Sequence, residues 1–360
     1  MSQTAVVESR LPSASERKRT ADMVASLLAK GEAHLENNQF ATALDCFEMA
    51  FCFEPQNRQA QLGLNRAHCQ IIPRWHFEML NDEQRNAAFQ RALTNAITPD
   101  TIVLDIGSGT GLLAMMAARA GAKETITCEM VPQLAELARD TVALNGLADR
   151  IVTLDKKSTA LTIGNQMVHK ADLLVTETVD CGLLGEGIVY SIAHAKANLL
   201  TESAQIVPSA ATVYAMVVES PRLRNLNFAQ TAAGFDVSLI NRYATAQYFP
   251  VRLDAFEYTP LTDPFEVFHF DFVNGTIAGE RKTINVRARR DGVAQCIIFW
   301  FNMQLDPQNS ISNEPGSTTH WEQALQCLDR EVAIRAENTL TIEAEHNCHQ
   351  IRFLSCNAGS

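Results

Sequence analysis

The sequence predicts a chain of three parts, in which a short helical region precedes an α/β domain with a parallel sheet and then an antiparallel β domain. The helical prediction rests on a 34-residue unit with helical spacing over residues 24–57. Between residues 83 and 200, short apolar runs alternate with helical segments, which is typical of a parallel sheet covered on both faces. After Pro208, apolar and polar residues alternate instead, which predicts antiparallel strands.

Composition limits what these parts can be. With 360 residues, 46% of them hydrophobic and 20% charged, the chain is large enough for two or three domains with substantial cores, and wholesale disorder is excluded. The formal net charge of −11 repels phosphate backbones, so we expect no nucleic-acid partner. We also expect no membrane partner, because no apolar run reaches the ~18 residues that a membrane span needs.

Cysteine usage indicates the compartment. Nine cysteines are scattered without a CxxC pair, and the first twenty residues lack the apolar core of a secretory signal. Such usage is typical of free thiols in a reducing compartment. We therefore expect an intracellular protein in the cytoplasm, with the nucleus as an alternative.

The helical region is predicted over residues 21–70, after a flexible leader over residues 1–20 that is rich in Ser, Thr and charge. Small residues at Gly31 and Ala43 allow two helices to approach closely, while Phe47 fills the seam. The order and spacing resemble a tetratricopeptide repeat, and a generic helical hairpin is the alternative. A single repeat cannot bury both of its faces, so we expect further packing, with a peptide partner as one use of the surface.

The α/β domain is predicted over residues 71–207. The helix Glu83–Ala96 leads to the buried strand Ile102–Ile106, a glycine-rich turn and another helix. Further strands are predicted at residues 124–128, 151–154 and 173–176. Strands and helices in this order predict a parallel sheet.

The antiparallel domain is predicted over residues 208–360, as a sandwich or a barrel. Phe268 and Phe270 alternate with polar residues, as in a strand with one buried face. The segment at about residues 220–243 interrupts this pattern with helical sequence of mixed polarity and is predicted to be an insertion. Two architectures in one chain favour a site between them.

A glycine-rich turn follows the first strand of the α/β domain, in the sequence Asp105-Ile106-Gly107-Ser108-Gly109-Thr110-Gly111. Glycines there permit close approach of a ligand to the backbone. A dinucleotide fingerprint needs GxGxxG, but position 112 is Leu. Glu129, at the end of the next strand, can accept hydrogen bonds from two ribose hydroxyls. This combination is typical of S-adenosylmethionine-dependent methyltransferases, and a nicotinamide or flavin cofactor or a purely structural turn is the alternative.

Three further residues fit contacts to the same cofactor. Ser158 and Thr159 follow the third strand, where such folds contact adenine, although an ordinary polar loop explains them equally well. Arg85 lies on the helix ahead of the sheet, and its planar guanidinium can pair with the methionine carboxylate. A solvated helix charge is the alternative for Arg85.

Two glutamates flank a loop that follows the fourth strand. Glu177 and Glu186 are nine residues apart, and glycines at positions 182, 185 and 187 let the loop double back. Because active sites form at the carboxyl ends of parallel strands, we expect both carboxylates on one side of a pocket. Taken alone, such a pair is also compatible with two solvated acids.

This loop closely resembles the double-glutamate loop of the protein arginine methyltransferases, with Glu177 and Glu186 matching its two acids. The other matching motifs are the glycine turn with Glu129, the adenine loop Ser158-Thr159, the helix His76-Phe77-Glu78-Met79-Leu80-Asn81-Asp82 with Arg85, the loop Thr319-His320-Trp321, and Gly234-Phe235-Asp236 at the end of the dimerisation arm. The resemblance covers residues 71 to about 356, and it is strongest to the branch with tetratricopeptide repeats ahead of the catalytic module. That branch carries two tandem modules, whereas this chain has one.

The resemblance implies a Rossmann-like domain that binds S-adenosylmethionine, an antiparallel β-barrel, and a helical dimerisation arm at about residues 220–243. With one module in the chain, it implies a homodimer. The implied activity is methyl transfer from S-adenosylmethionine to a guanidinium nitrogen of arginine in protein substrates. The alternatives are a methyltransferase of another cationic small molecule and an idle scaffold that binds partners through its helical region.

The resemblance also implies the roles of individual residues. Glu177 and Glu186 would grip the substrate guanidinium, which is always protonated. The other implied residues are Asp82 and His320, which meet across the domain boundary, His76 over the cofactor, and Met79 and Trp321 in the substrate channel. Paired tyrosines that many family members place before His76 are missing, which leaves the methylation type open.

One further cluster has metal-ligand chemistry. His346, Cys348 and His349 stand close together in sequence. A structural zinc site would need a second such cluster. We therefore expect a turn at a strand end and no metal.

Overall fold

The computed structural model describes residues 13–276 and 278–359, which form two compact units, one up to Phe77 and the other from Glu78. The helices are α1 (Ala14–Glu36), α2 (Phe40–Phe53), α3 (Arg58–Ile71), α4 (Trp75–Leu80), α5 (Glu83–Ala96), α6 (Leu112–Ala120), α7 (Pro132–Leu144), α8 (Ile188–Asn198) and α9 (Pro221–Arg224). The strands are β1 (Ile102–Ile106), β2 (Glu124–Glu129), β3 (Ile151–Asp155), β4 (Ala171–Thr176), β5 (Leu200–Val207), β6 (Ala210–Glu219), β7 (Thr231–Ala232), β8 (Phe235–Asp236), β9 (Phe249–Val251), β10 (Thr259–Pro260), β11 (Phe265–Asp271), β12 (Glu280–Arg287), β13 (Gly292–Asp306), β14 (Asn309–Ser312), β15 (Gln323–Ile334), β16 (Thr339–His346) and β17 (Ile351–Ala358). Among the described residues, no helix combines the length and the apolar character that crossing a membrane requires.

The first unit contains α1, α2 and α3, which pack around Phe47. The Phe47 side chain is completely buried. A Cβ atom at Gly31 of α1 would lie 2.7 Å from its ring, and one at Gly63 of α3 would lie 2.3 Å from it. The expected helical hairpin is present, and α3 covers the ring from a second side. The unit ends at Phe77, later than the predicted boundary at residue 70.

The predicted flexible leader is wrong for residues 14–20, which form the first turns of α1. Ser13 caps this helix, because its hydroxyl oxygen accepts the backbone N–H of Glu16 while its own N–H donates to the Glu16 carboxylate at 2.6 Å. Such a capping box satisfies backbone donors that a helix start otherwise leaves open. The rest of the predicted leader, residues 1–12, lies outside the described residues.

The second unit contains the predicted parallel sheet, with strand order β3-β2-β1-β4-β5. The central strand β1 is buried at every position. Ile106, at the end of β1, pairs with Cys128 of β2 and with Thr176 of β4. The segments that follow these three strands therefore leave the sheet side by side at its carboxyl edge.

The remainder of the second unit is antiparallel. One sheet has the order β10-β6-β13-β15-β9, with β11 also paired to β6 and β14 to β13, and a three-stranded sheet has the order β12-β16-β17. The side-chain amide of Gln326 on β15 exchanges hydrogen bonds with the backbone of Phe353 on β17, and a bridge pairs Thr262 with Ala288. These contacts join the sheets into a barrel-like domain.

The segment predicted as an arm, residues 220–243, exposes large apolar side chains. It holds α9, the hairpin of β7 and β8, and the 3₁₀ helix Ser238–Tyr243. Its helical content is therefore limited to short pieces. Phe235, Leu239 and Tyr243 expose 73%, 70% and 85% of their surface.

The parallel and antiparallel halves of the second unit share one apolar core. A single cluster of buried residues contains Phe89 of α5 and Val175 of β4 from the first half, and Phe299 and Phe301 of β13 from the second. Apolar burial on both sides of the junction stabilises the two halves against each other. Polar residues beside the junction can therefore form a site of fixed geometry.

Candidate active site

The predicted glycine turn lies at the carboxyl end of β1. Gly107, Gly109 and Gly111 have φ angles of +86°, +52° and +81°, a region that glycine adopts far more readily than other residues. Apart from Gly109 itself and its two chain neighbours, no atom of the described residues lies within 4 Å of the place that a Cβ would take at Gly109. At Gly109 the turn therefore presents bare backbone to open space.

Glu129, at the end of β2, is buried against this turn. Its Oε2 accepts the backbone N–H of Gly109 at 3.1 Å, and its Oε1 accepts that of Val131 at 3.0 Å. Each carboxylate oxygen has two lone pairs, so both oxygens retain the capacity to accept a hydroxyl hydrogen bond.

Two buried polar atoms at the turn lack hydrogen-bond partners among the described residues, namely Asp105 Oδ1 and Ser108 Oγ. The other carboxylate oxygen of Asp105 accepts the Thr127 hydroxyl at 2.7 Å. Burial raises the pKa of Asp105 to about 7 against the effect of that hydrogen bond, and the charge of Glu129 adds to the rise. A buried carboxylate with an open acceptor fits a cationic ligand group. The turn, Glu129 and Asp105 thus fit the predicted cofactor, S-adenosylmethionine.

Arg85 of α5 and Glu177 form a buried ion pair, with both side chains 4% exposed. Nε and Nη2 of Arg85 donate to Oε2 of Glu177, the Nε at 3.1 Å, and Nη1 donates to Asn86. Oε1 of Glu177 accepts no hydrogen bond from the described residues. Glu177 is therefore held at one oxygen and open at the other.

Glu186, the second acid of the loop, forms an acidic cluster with Glu177. Its side chain is exposed, yet burial by surrounding atoms raises its pKa to about 7, together with the charges of Glu177, Asp180 and Glu129. A carboxylate can keep accessible surface and still be poorly hydrated when protein atoms surround it on most sides. The two loop acids thus act on each other electrostatically, and Glu186 also interacts with the charge of Glu129 beside the glycine turn.

Asp82 and His320 meet between the two halves of the second unit. Oδ2 of Asp82 accepts two hydrogen bonds from His320, one from the backbone N–H at 2.8 Å and one from the ring Nδ1–H at 3.0 Å. Oδ1 of Asp82 accepts the backbone N–H of Arg85. Burial alone would raise the pKa of Asp82, but the hydrogen bonds from His320 and Arg85 outweigh it and lower this pKa. The ring is thereby oriented, with Nε2 free of Asp82.

The remaining predicted residues of the second unit differ in burial. Ser158 is buried at the start of a 3₁₀ helix, whereas the neighbouring Thr159 is exposed. Trp321 is 6% exposed and packs edge-on against Phe301, with ring centres 5.3 Å apart. Core packing therefore accounts for most of the Trp321 surface.

His76 and Met79 both lie on α4, on either side of the division between the units. His76 is buried, stacks on Trp75 with ring centres 3.8 Å apart, and contacts the carbonyl oxygen of Pro73 through Nδ1 at 3.0 Å. Met79 is half-buried. Their roles beside the cofactor and in the channel stay predictions.

The segment with His346, Cys348 and His349 is the turn between β16 and β17. Nδ1 of His346 accepts the backbone N–H of Cys348 at 3.3 Å, and the ring packs edge-on against Phe268 and Phe270. Across the described ranges, no group of three side chains is arranged to hold a metal ion.

Comparison with known proteins identifies the family. The protein-family model described as the arginine methyltransferase oligomerization subdomain matches residues 209–357. The family model of the ribosomal protein L11 methyltransferase (PrmA) matches residues 89–207. An arginine N(omega)-methyltransferase of Streptomyces achromogenes subsp. streptozoticus is 42% identical over 272 residues, which are 75% of each chain. The chain belongs to the arginine methyltransferase family.

Other relatives in this family are longer than the present chain. Protein arginine N-methyltransferase 9 of Mus musculus is 32% identical over 341 residues, and protein arginine N-methyltransferase 7 of Drosophila melanogaster is 34% identical over 263 residues. These matches cover 84% and 68% of this chain but only 40% and 38% of the relatives. The chain thus spans about two fifths of their length, and the type nine relative supports the branch that the motifs indicate.

A solved structure of the family has the same fold. The Trypanosoma brucei PRMT1 enzyme–prozyme heterotetrameric complex with AdoHcy matches with a TM-score of 0.66 at 23% identity, over 75% of this chain and 86% of that chain. The Rossmann-like sheet followed by a barrel-like domain is therefore confirmed.

Three residues that hold the double-glutamate loop have no role in the sequence prediction. Asp180, inside the loop, accepts the backbone N–H of Gly185 at 2.8 Å and the hydroxyl of Tyr248 at 2.6 Å. Asn313 is completely buried and donates to the carbonyl oxygen of Cys181 at 3.1 Å. An acid inside the loop is a visible signal, but Tyr248 and Asn313 lie 68 and 132 residues from their partners, and no motif marks them.

Proposed function

We propose that this chain transfers a methyl group from S-adenosylmethionine to a guanidinium nitrogen of arginine, and that its natural substrates are arginine residues of proteins. The observation that carries the proposal is the acidic cluster of Glu177 and Glu186 beside the glycine turn, in a chain of the arginine methyltransferase family. An arginine guanidinium is planar and always protonated, and carboxylates are its strongest hydrogen-bond acceptors.

The glycine turn and its neighbours would hold the cofactor, which when bound supplies an electrophilic methyl group on a positively charged sulfur. Glu129 would accept the ribose hydroxyls, and Asp105 would face the amino-acid end. Arg85 would pair with the methionine carboxylate through the N–H groups that Glu177 and Asn86 leave free.

Adenine would lie beside Ser158 and Thr159. Ser158 is the stronger of the two adenine candidates, because it is buried while Thr159 is exposed. A buried hydroxyl gains more from a hydrogen bond to a ligand than an exposed one, which water already satisfies.

The two loop acids would orient the substrate. Oε1 of Glu177 and the carboxylate of Glu186 would each accept guanidinium N–H groups and draw positive charge toward the nitrogens they contact. The remaining terminal nitrogen is then richer in electron density and fixed in direction. Such alignment contributes up to ~7–11 kcal/mol in favourable cases. Met79 and Trp321 would line the channel that leads to this position.

Substrate binding would also relieve repulsion within the cluster. Burial, together with the charges of Glu177, Asp180 and Glu129, holds the pKa of Glu186 near 7. A guanidinium between Glu177 and Glu186 favours the ionised form of both acids. The cluster therefore selects a cation over a neutral ligand.

His320 would take up the proton that the reaction releases. One proton is released because the substrate and the product guanidinium each carry a single positive charge. Nδ1 of His320 donates to Asp82, so Nε2 is the ring nitrogen that can accept a proton. Asp82 keeps the ring in that tautomer and orientation.

The test is methyl transfer from isotopically labelled S-adenosylmethionine to arginine-rich polypeptides, followed by mass spectrometry of the amino acids. Label on a guanidinium nitrogen of arginine supports the proposal. Label found only on other small amines, or on nothing, overturns it.

Glu186→Gln is the sharper variant for the role of the loop acids. Glu177→Gln also leaves the buried Arg85 guanidinium with a weaker partner, which disturbs the proposed cofactor site as well. In Glu186→Gln we expect most of the methyl transfer to be lost while cofactor affinity, measured by calorimetry, is unchanged. Glu202→Gln, an exposed acid on β5, is the matched control. Full activity of Glu186→Gln would reject the assigned role.

Free arginine is a second candidate substrate. The Streptomyces relative is named for arginine rather than for protein arginine. The labelled reaction with free L-arginine and with an arginine-containing peptide, at equal concentrations of guanidinium, distinguishes the two. A higher rate on free arginine would replace the protein substrate with the amino acid.

We also propose a homodimer formed through the arm, supported by its exposed apolar residues and by the match to an oligomerization subdomain.

An intracellular location, in the cytoplasm with the nucleus as alternative, is proposed because all nine cysteines, each within the described ranges, carry free thiols. Tetratricopeptide identity and a peptide partner for the helical region stay predictions.

A further inference from the structure

Asp180 closes the double-glutamate loop on itself. Its Oδ1 accepts the backbone N–H of Gly185 at 2.8 Å, and its carbonyl oxygen accepts that of Leu183 at 3.0 Å. A Cβ at Gly185 would lie 2.5 Å from the Asp180 carboxylate, so the backbone lies directly against it. Glu186 is the next residue along the chain, and its backbone position therefore depends on Asp180.

Tyr248 ties the same carboxylate to the antiparallel half. Its hydroxyl donates to Oδ2 of Asp180 at 2.6 Å. Its ring lies on the loop, because a Cβ at Gly182 would be 2.5 Å from it. The ring also meets Phe299 edge-on, with ring centres 5.1 Å apart, and Phe299 is completely buried in the shared core. The hydroxyl is thus anchored to a rigid part of the fold.

The hydrogen bond between Tyr248 and Asp180 is charge-assisted. Burial and the negative charge of Asp180 raise the pKa of Tyr248 far above its usual value, so the hydroxyl remains protonated and donates. Hydroxyl-to-carboxylate bonds of this length are roughly twice as strong as neutral ones. The contact can therefore hold the loop in one arrangement.

Glu177 is fixed independently, by the end of β4 and by its pair with Arg85. We propose that Tyr248 and Asp180 are positioning residues, which hold Glu186 at the separation from Glu177 that grips one guanidinium. The inference rests on the proposed transfer of a methyl group to arginine. On this proposal, a tyrosine of the antiparallel half sets the separation of two acids on the parallel half.

Tyr248→Phe tests the proposal, because it removes the hydroxyl and keeps the ring against Gly182 and Phe299. With an arginine-containing peptide we expect kcat to fall by about 10- to 100-fold, the effect of misaligned reacting groups. The KM for the peptide, the cofactor affinity and the melting temperature should stay close to wild type, because the lost contact acts on alignment in the transition state.

Tyr214→Phe is the matched control. Tyr214 lies on β6 in the same half, and its hydroxyl makes no hydrogen bond with the described residues. The control loses the same atom at a site away from the loop, so its kcat should equal that of wild type.

Substitutions of Asp180 separate position from charge. Asp180→Asn can keep both contacts, since the amide oxygen accepts from Gly185 and the amide N–H donates to the Tyr248 oxygen. We expect it to retain most of the kcat, while Asp180→Ala falls as far as Tyr248→Phe. In the double variant Tyr248→Phe/Asp180→Ala the loss should not exceed that of Asp180→Ala alone, because both changes break one contact.

The outcomes distinguish this proposal from the proposed function. Wild-type kcat in Tyr248→Phe overturns the positioning role, and so does an Asp180→Asn variant as inactive as Asp180→Ala, which would assign the effect to charge. A wild-type protein without transfer to either peptide or free arginine overturns the function itself. Wild-type activity with an unaffected Tyr248→Phe overturns only the positioning role.

Discussion

Glu186 faces the charges of Glu177, Asp180 and Glu129, and burial together with these charges raises its pKa to about 7. An acid that titrates near neutral pH makes the grip on a cation depend on pH. Protonation of Glu186 removes one negative charge and leaves a hydroxyl toward the substrate, whereas the guanidinium keeps its charge at every relevant pH. On the proposed mechanism, the ionised form is therefore the one that would bind arginine.

We expect kcat/KM for an arginine-containing peptide to fall as the pH is lowered through about 7, because kcat/KM reports the ionisation of the free enzyme. The measurement is a pH profile of initial rates at low peptide concentration. The residual activity of Glu186→Gln should not show this fall at low pH, since glutamine does not titrate. If kcat/KM of Glu186→Gln falls in the same pH range, the titration belongs to another group.

Asp105 leads to a prediction about stability. Its pKa is raised to about 7 by burial in the folded chain, against about 4 in an unfolded chain. Between these values the folded protein binds more protons than the unfolded one, so this group costs stability as the pH rises from about 4 through about 7. The full cost, on the order of 4 kcal/mol, applies above that range.

Asp105→Asn should therefore raise the free energy of unfolding of the cofactor-free protein at pH 8 and change it little at pH 4. Asparagine keeps an acceptor for the Thr127 hydroxyl, so the local contact survives. Urea unfolding at the two pH values checks this. Equal effects at both would contradict the assigned ionisation.

At the scale of elements, local signals fixed the boundaries where caps and turns are short-range. The bounds of the helix Glu83–Ala96 and the strand Ile102–Ile106 agree with prediction, because the capping carboxylate of Asp82 and the glycine turn mark these ends in sequence. The prediction is wrong for the start of α1, because it assigns the Ser13 capping box to a charged leader. Local composition did not distinguish a capped helix from an extended segment there.

The three-helix unit depends on close approach at two glycines. Gly63→Ala on α3 would put a Cβ 2.3 Å from the completely buried ring of Phe47. Overpacking of this kind typically costs about 1–3 kcal/mol, which exceeds the gain of about 1 kcal/mol in helix propensity. We therefore expect lower protection of α1, α2 and α3 in hydrogen exchange of the full chain.

Asn65→Ala is the control for that prediction, since it adds the same residue type on the exposed face of α3. Its propensity gain is not opposed by a clash, so protection should be equal or higher. Equal protection in Gly63→Ala and wild type would mean that the helices move apart at no cost.

At the scale of the whole molecule, the site depends on contacts between the two halves of the second unit. Asp82 meets His320 across 238 residues, and Asp180 meets Tyr248 across 68. Motif resemblance predicted the first pair, because both members stand in recognisable sequence. It could not predict the second, because register and packing of the antiparallel strands alone bring Tyr248 to the loop.

The arm provides the prediction that concerns assembly. Leu239 and Tyr243 expose 70% and 85% of their surface, and grouped exposed apolar residues mark interaction sites. Leu239→Glu would place a charge in such a contact, so we expect the proposed dimer to dissociate at micromolar concentration, as measured by light scattering. Val168→Glu, at an equally exposed valine ahead of β4, is the control and should leave the dimer intact. A wild-type chain that is monomeric at this concentration would overturn the proposed dimer, and a dimer that both variants retain would place assembly elsewhere than in the arm.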